Sequence, residues 1–179
     1  MSVTERSRYA PELVLLNQRW IELAKTAGEG RYTRRREAGS EHRWNRGDDH
    51  TVELEIEAVG AEIAVGCSIG RRWEDVETPD YSGDVGEGVQ VRHTQHGRYL
   101  LLHGPESVAS GEREDRDDHD FFLVTGMFPE YIVVGWATGA RGKRIGEVKE
   151  LQRGRPCICV DGVLLAAPAQ WRRFSRWAP

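Results

Sequence analysis

Residues 83 to 94 read "GDVGEGVQVRHT", and the fold turns on how this stretch is read. Gly83, Gly86 and Gly88 mark a tight turn, because glycine alone enters positive φ without steric cost. From Val89 onward apolar and polar residues alternate, the period-two signature of a strand. On such a strand Gln90, Arg92 and Thr94 share one face and Val89 and Val91 the other, so that with Val91 inward the polar triplet lines an opening or faces solvent. Asp84 is then either a plain turn residue or one end of a bent hairpin whose carboxylate converges with the Gln90 side-chain oxygen. The Val91 carbonyl would add a further oxygen. Hard oxygen donors at this spacing suit Mg²⁺ or Mn²⁺.

Outward from this stretch, the preceding "TVELEIEAVGAEIAVGCSI", 51 to 69, predicts a helix capped at Asp49 or Thr51. At about 100° per residue, Val52, Ile56, Val59, Ile63 and Cys67 form one apolar arc, and Leu54, Ala58, Val65 and Ile69 a second. Glu55 and Glu62 fall between the arcs, where a carboxylate is partly buried and requires a cation, a donor or a metal. Downstream, "RYLLLHG", "DFFLVTG" and "EYIVVGWATG" are short apolar runs between Gly, Pro and acidic turns, which predicts strands. Residues 140 to 151 predict a short helix, and "PCICVDGVLLAA" a hairpin turning at Asp161 and Gly162. Towards the N-terminus, Leu13, Leu16, Trp20 and Leu23 predict a helix over 10 to 26, ended by Gly28 and Gly30.

The expected class is α/β: a central mixed β-sheet flanked by helices in a single compact domain. Within it, residues 1–50 supply an N-terminal helix and an Arg-rich loop, and residues 51–179 the core and an aromatic, basic tail. A hydrophobic fraction of 39% with 30% charged residues is ordinary soluble chemistry. No apolar window is long enough to span a membrane, and the short apolar run near the start predicts no signal peptide, hence a cytoplasmic location. Cys67, Cys157 and Cys159 contain no CxxC pair, and Cys157 and Cys159, flanking Ile158 in a strand, point to one face. They are expected to be reduced structural thiols.

A net charge of −4 argues against a nucleic-acid partner, but the charge is unevenly placed. The segment 31 to 46 carries Arg31, Arg34, Arg35, Arg36, Arg43 and Arg46 around Trp44, and the tail "WRRFSRW" interleaves Arg with aromatics. Acidic residues gather in "EREDRDDHD", 112 to 120. A basic rim beside an acidic pocket suits an enzyme acting on phosphodiesters; solvated loops are the plainer alternative. His93, His96 and His103 make only a weak zinc pattern, since HxxH beginning on a strand sends its imidazoles to opposite faces unless the chain turns. No GxxxxGK, GxSxG or HExxH is present.

"GAEIAVG", 60 to 66, followed by "GDVGEGVQVR", 83 to 92, resembles the PD-(D/E)XK nuclease superfamily, the restriction-endonuclease-like fold, in its small bacteriophage-type members. "VVGWATG", 133 to 139, and the segment after it share that likeness, which covers roughly residues 50 to 150. The resemblance implies catalytic positions at Glu62 (helical acid), Asp84 (metal-binding aspartate), Gln90 and Arg92. It implies Mg²⁺ or Mn²⁺ held by Asp84, Gln90, the Val91 carbonyl and Glu62, and a nucleic-acid substrate, DNA ahead of RNA, gripped by the arginines and stacked on Trp44. A homodimer that cuts both strands is consistent with it. Two positions depart from the pattern: Gln90 removes a negative charge from the metal site, and Arg92 stays protonated and cannot act as a general base. An alternative is therefore a catalytically weakened or inactive protein on the same fold that binds nucleic acid or protein. A third reading is an accessory factor whose 112 to 120 loop docks on a basic partner.

Overall fold

The computed structural model describes residues 10–38, 51–75, 83–95, 97–108, 113–152 and 155–175. Three layers result, built as helices on a four-stranded sheet that packs in turn on a three-stranded one. The elements are β1 (Glu12–Leu15), α1 (Gln18–Glu37), α2 (Val52–Ile69), β2 (Val89–Thr94), β3 (Tyr99–Leu102), α3 (Pro105–Val108), β4 (Asp120–Met127), β5 (Glu130–Thr138), α4 (Gly139–Ile145), β6 (Glu147–Gln152), β7 (Arg155–Asp161) and α5 (Trp171–Phe174). The larger sheet has the order β1-β5-β4-β2 and the smaller β3-β7-β6. β2 runs parallel to β4 while β4–β5 and β5–β1 are antiparallel, so the sheet is mixed, as expected.

The apolar stripe of α2 lies across the larger sheet: Val59, Ile63, Val65 and Ile69 meet Val89, Phe122, Val124, Tyr131 and Val133 in one core. Phe121, Leu123, Leu100, Leu102, Ile158 and Val160 form a second core between the sheets. The period of two in β4 feeds both, since alternate side chains enter opposite layers. No helix among the described residues is long and apolar enough to cross a membrane.

Four expectations are corrected. The segment 10 to 26 is not one helix: Glu12–Leu15 joins the sheet edge beside β5, and Asn17 then caps α1 by accepting a hydrogen bond from the Trp20 amide at 3.1 Å. That helix does not stop at Gly28 and Gly30 but continues to Glu37, so residues 31 to 37 are helical rather than a loop. Gly28 is a packing glycine, because a Cβ there would stand 2.7 Å from Ile56 Cγ1 on α2. Gly139–Ile145 is the predicted short helix, but Glu147–Gln152 continues as strand β6. Finally, β7 does not turn back at Asp161 and Gly162. Asp161 caps a 3-10 turn over Gly162–Leu164 through the Val163 amide, and the hairpin partner of β7 is β6, which precedes it.

Candidate functional site

The turn at 83 to 89 closes as the glycines require. Gly86 and Gly88 sit at φ of 71° and 75°, and the amides of Asp84 and Val85 both donate to the Val89 carbonyl, at 2.7 and 3.2 Å. Asp84 is thereby held at the free edge of β2, where its Oδ2 accepts the Val91 amide at 2.7 Å. In an extended strand the N–H and C=O of one residue point the same way, so the Val91 carbonyl lies on that edge too.

Glu62 is buried on α2, in the helical layer. Arg31 donates Nη1 to Oε1 at 2.7 Å and Nη2 to Oε2 at 2.9 Å, and Trp73 Nε1 donates to Oε2 at 2.8 Å. The Arg31 guanidinium also lies over the Trp73 ring at 5.7 Å and donates Nε to Asp75 at 3.0 Å. Burial opposes the Arg31 charge, but Glu62 and Asp75 overcome it and raise its pKa further.

Gln90 and Arg92 occupy the opposite side of the sheet. Their register partners are Phe121 and Leu123, which belong to the inter-sheet core, and Arg92 lies 5.2 Å over the Phe121 ring. Of the two expectations for the polar triplet, an opening or solvent, the solvent-facing one is corrected at Gln90, which is buried. Arg92 donates Nη2 to Asp115 Oδ1 at 2.8 Å, while Asp115 Oδ2 accepts the His103 amide at 2.8 Å.

Asp84 stands between these two ion pairs and feels both. Burial raises its pKa, the Val91 amide, Arg92 and Arg31 work against the shift, and Asp115 adds to it. Glu62 is pushed up to about 7 by burial first and by Asp84, with Arg31 and Trp73 opposing. Clusters of perturbed carboxylates of this kind occur at functional sites and also in structural ion-pair networks.

The fold brings Glu62, Asp84, Arg92 and Arg31 into one charged cluster but places the sheet between Glu62 and Arg92. The donor set does not fit a divalent cation as it stands. Both oxygens of Glu62 are engaged by a guanidinium and an indole, Gln90 faces the other layer, and only Asp84 and the Val91 carbonyl share an edge. Among the described residues no group of three or more His, Cys, Asp or Glu is arranged to hold a metal.

Of the residues expected to grip nucleic acid, Arg31 is buried against Glu62, Arg34 donates to Asp75 at 3.2 Å, Arg35 pairs with buried Glu55, and Arg36 stacks over Tyr32. Arg43, Trp44 and Arg46 lie outside the described residues. In the tail, Trp171 is fully buried and donates Nε1 to Asp120 at 2.8 Å, whereas Phe174 is exposed. Three participants were missed by sequence reasoning: Asp115, Trp73 and Asp75. Asp115 belongs to the acidic run 112 to 120 and pairs with the Arg92 guanidinium.

No family model, curated protein or solved structure matches this chain.

At the C-terminal end of α2 a shallow groove of about 250 Å³ is lined by Trp20, Cys67, Arg71, Arg72 and Trp73. Arg19 stacks on Trp20 at 5.8 Å, and Arg172 reaches the Ile69 carbonyl at 2.8 Å beside the same groove. Trp73 joins this groove to the charged cluster through its bond to Glu62.

Proposed function

We propose that the chain is a nucleic-acid-binding protein, favouring DNA, whose charged cluster is structural rather than catalytic. One observation carries the reading: the Arg31 guanidinium sits bidentate on Glu62, the place a divalent cation would take in a nuclease. A guanidinium cannot activate water, and displacing it would leave a buried charge uncompensated. Arg92, paired with Asp115, is likewise committed to an acid rather than offered to a phosphate. Binding falls to the groove of Trp20, Arg71 and Arg72 with Arg172 beside it: Arg71 and Arg172 donate to the Glu87 and Ile69 carbonyls, which leave their charge uncompensated, and Arg72 meets Glu74 only at 3.6 Å on the exposed surface, so guanidinium groups stand beside an aromatic ring.

A metal-dependent nuclease is the second reading, favoured by one detail. Asp84 Oδ1 accepts no hydrogen bond among the described residues and lies on the same strand edge as the Val91 carbonyl. The experiment is incubation of labelled single- and double-stranded DNA with the full chain in Mg²⁺ or Mn²⁺, alongside fluorescence anisotropy for binding. Binding without cleavage supports the proposal. Cleavage by the wild type that Asp84→Ala abolishes replaces it with the nuclease reading, and absence of binding to either DNA overturns both.

A further inference from the structure

β1 is an edge strand of the larger sheet, bonded to β5 on one side. The Leu16 amide donates to the Pro129 carbonyl at 3.1 Å, so by the alternation of an antiparallel ladder Val14 and Glu12 also turn their backbone groups towards β5. The N–H and C=O groups of Leu13 and Leu15 therefore point outward along the free edge, with no partner among the described residues. Side chains follow the same parity. Val14 packs against the helical core, so Leu13 and Leu15 project from the opposite face, where they are 64% and 68% exposed. Ile132, directly opposite Leu13 on β5, shares that face and is 40% exposed. Further along β5, the Trp136 and Ala166 backbones bond each other on the side that β1 leaves open, which brings exposed Val163 and Leu164 to the same margin. The smaller sheet leaves this strip uncovered, since it meets the larger one at Phe121, Leu123, Val134 and Ala137. Edge strands are ordinarily guarded by a lysine, a bulge or a covering segment. Among the described residues β1 has none of these and presents two leucines instead.

We propose that β1 is a dimerisation strand, which pairs antiparallel with β1 of a second copy about a two-fold axis through Val14 and joins the two larger sheets into one. In this register Leu13 lies opposite Leu15 of the second copy and Leu15 opposite its Leu13, and each pair exchanges both backbone hydrogen bonds. The same pairing sets leucine against leucine on the exposed face and Val14 against Val14 on the helical face. Glu12, whose carboxylate accepts the Ser68 hydroxyl at 2.6 Å, falls opposite Leu16, so no like charges meet across the seam. The choice of a second copy rests on this self-complementarity: one two-fold operation satisfies every outward backbone group of β1, covers both leucines, and closes without leading to a fibre. Leu13, Leu15, Ile132, Val163 and Leu164 present roughly 500 Å² of apolar side chain per copy, which with the strand backbone approaches the 800 Å² or so per partner of a stable interface. The dimer does not depend on the nucleic-acid reading.

The test is sedimentation equilibrium of the full chain across the micromolar range. The wild type is expected to sediment as two chains. Leu13→Lys with Leu15→Lys, both at exposed positions, is expected to sediment as one chain, with a loss of roughly tenfold or more in dimer affinity and an unchanged circular dichroism spectrum. Val14→Cys, in a Cys67→Ser background that removes the exposed thiol, gives a second readout. Directly opposed Cα atoms of a non-hydrogen-bonded antiparallel pair stand about 4.5 Å apart, within disulfide reach, so oxidised glutathione should link two chains through position 14. A single-chain mass at every concentration overturns the proposal and leaves the strip to a different partner. So does a dimer that the two lysines leave intact, or a Val14→Cys protein that forms no covalent dimer.

Discussion

Arg31 and Glu62, 31 residues apart in sequence, form a buried bidentate ion pair at 2.7 and 2.9 Å that ties α1 to α2. The pair is stable only as a unit, because each charge is desolvated and depends on the other.

Removing one partner should therefore cost far more than removing both. Arg31→Ala is expected to lower unfolding stability by about 3–5 kcal/mol, whereas Arg31→Met with Glu62→Leu should be near neutral. Urea unfolding of the three proteins measures both; equal losses in the single and double variants would refute the pairing.

The pH dependence has a definite sign. Glu62 is raised from 4.5 to about 7 in the folded state, and Asp84 is raised as well. Burial outweighs the Arg31 and Trp73 donors, so below about 7 the guanidinium faces a neutral carboxyl and the full ion pair forms only above it; between about 4.5 and 7 the unfolded chain has released the proton that the folded chain still holds, and stability should fall as pH rises through this window. Glu62→Gln should flatten that decline. Thermal unfolding at several pH values decides it, and a stability that rose across the window would show that Glu62 is held below its ordinary value instead.

Helix α1 crosses α2 at Gly28. A Cβ there meets Ile56 backbone atoms at 2.8 Å as well as its side chain, so Gly28→Ala should destabilise by about 1–3 kcal/mol despite alanine's better helix propensity. Gly30→Ala, where a Cβ faces only the Arg34 side-chain end at 3.1 Å, should be neutral or stabilising. Comparative denaturant melts separate the two.

If nucleic acid lies in the groove beside Trp20, Arg72→Gln with Arg172→Gln should weaken single-stranded DNA binding and reduce the slope of log K against log salt by about 1.4, near 0.7 per phosphate contact. Arg31→Gln should instead act through stability. Anisotropy titrations at several salt concentrations measure the slope, and an unchanged slope would move the contact elsewhere.

Much of the fold was legible in local pattern. Strands β2, β3, β4 and β5 and helix α2 follow from periods of 2 and 3.6, and the burial of Glu55 and Glu62 follows from the gap between two apolar arcs. The N-terminus was misread because Gly28 and Gly30 signal termination locally, while here one of them serves a helix crossing that no local pattern encodes. Glu12–Leu15 has too few residues to distinguish a strand from a helical turn, and only the edge of β5 decides it.

The sequence by itself determined that acids sit at Glu62 and Asp84 and that Asp84 opens the β2 turn, because burial periodicity and glycine turns are local. Tertiary structure alone decided what those acids meet. α1 carries Arg31 onto Glu62, the loop before β4 carries Asp115 onto Arg92, and the pleat of β2 turns Gln90 and Arg92 away from the helical layer. Which counter-charge a buried carboxylate receives depends on chain segments far away in sequence, and spacing along the chain does not specify them.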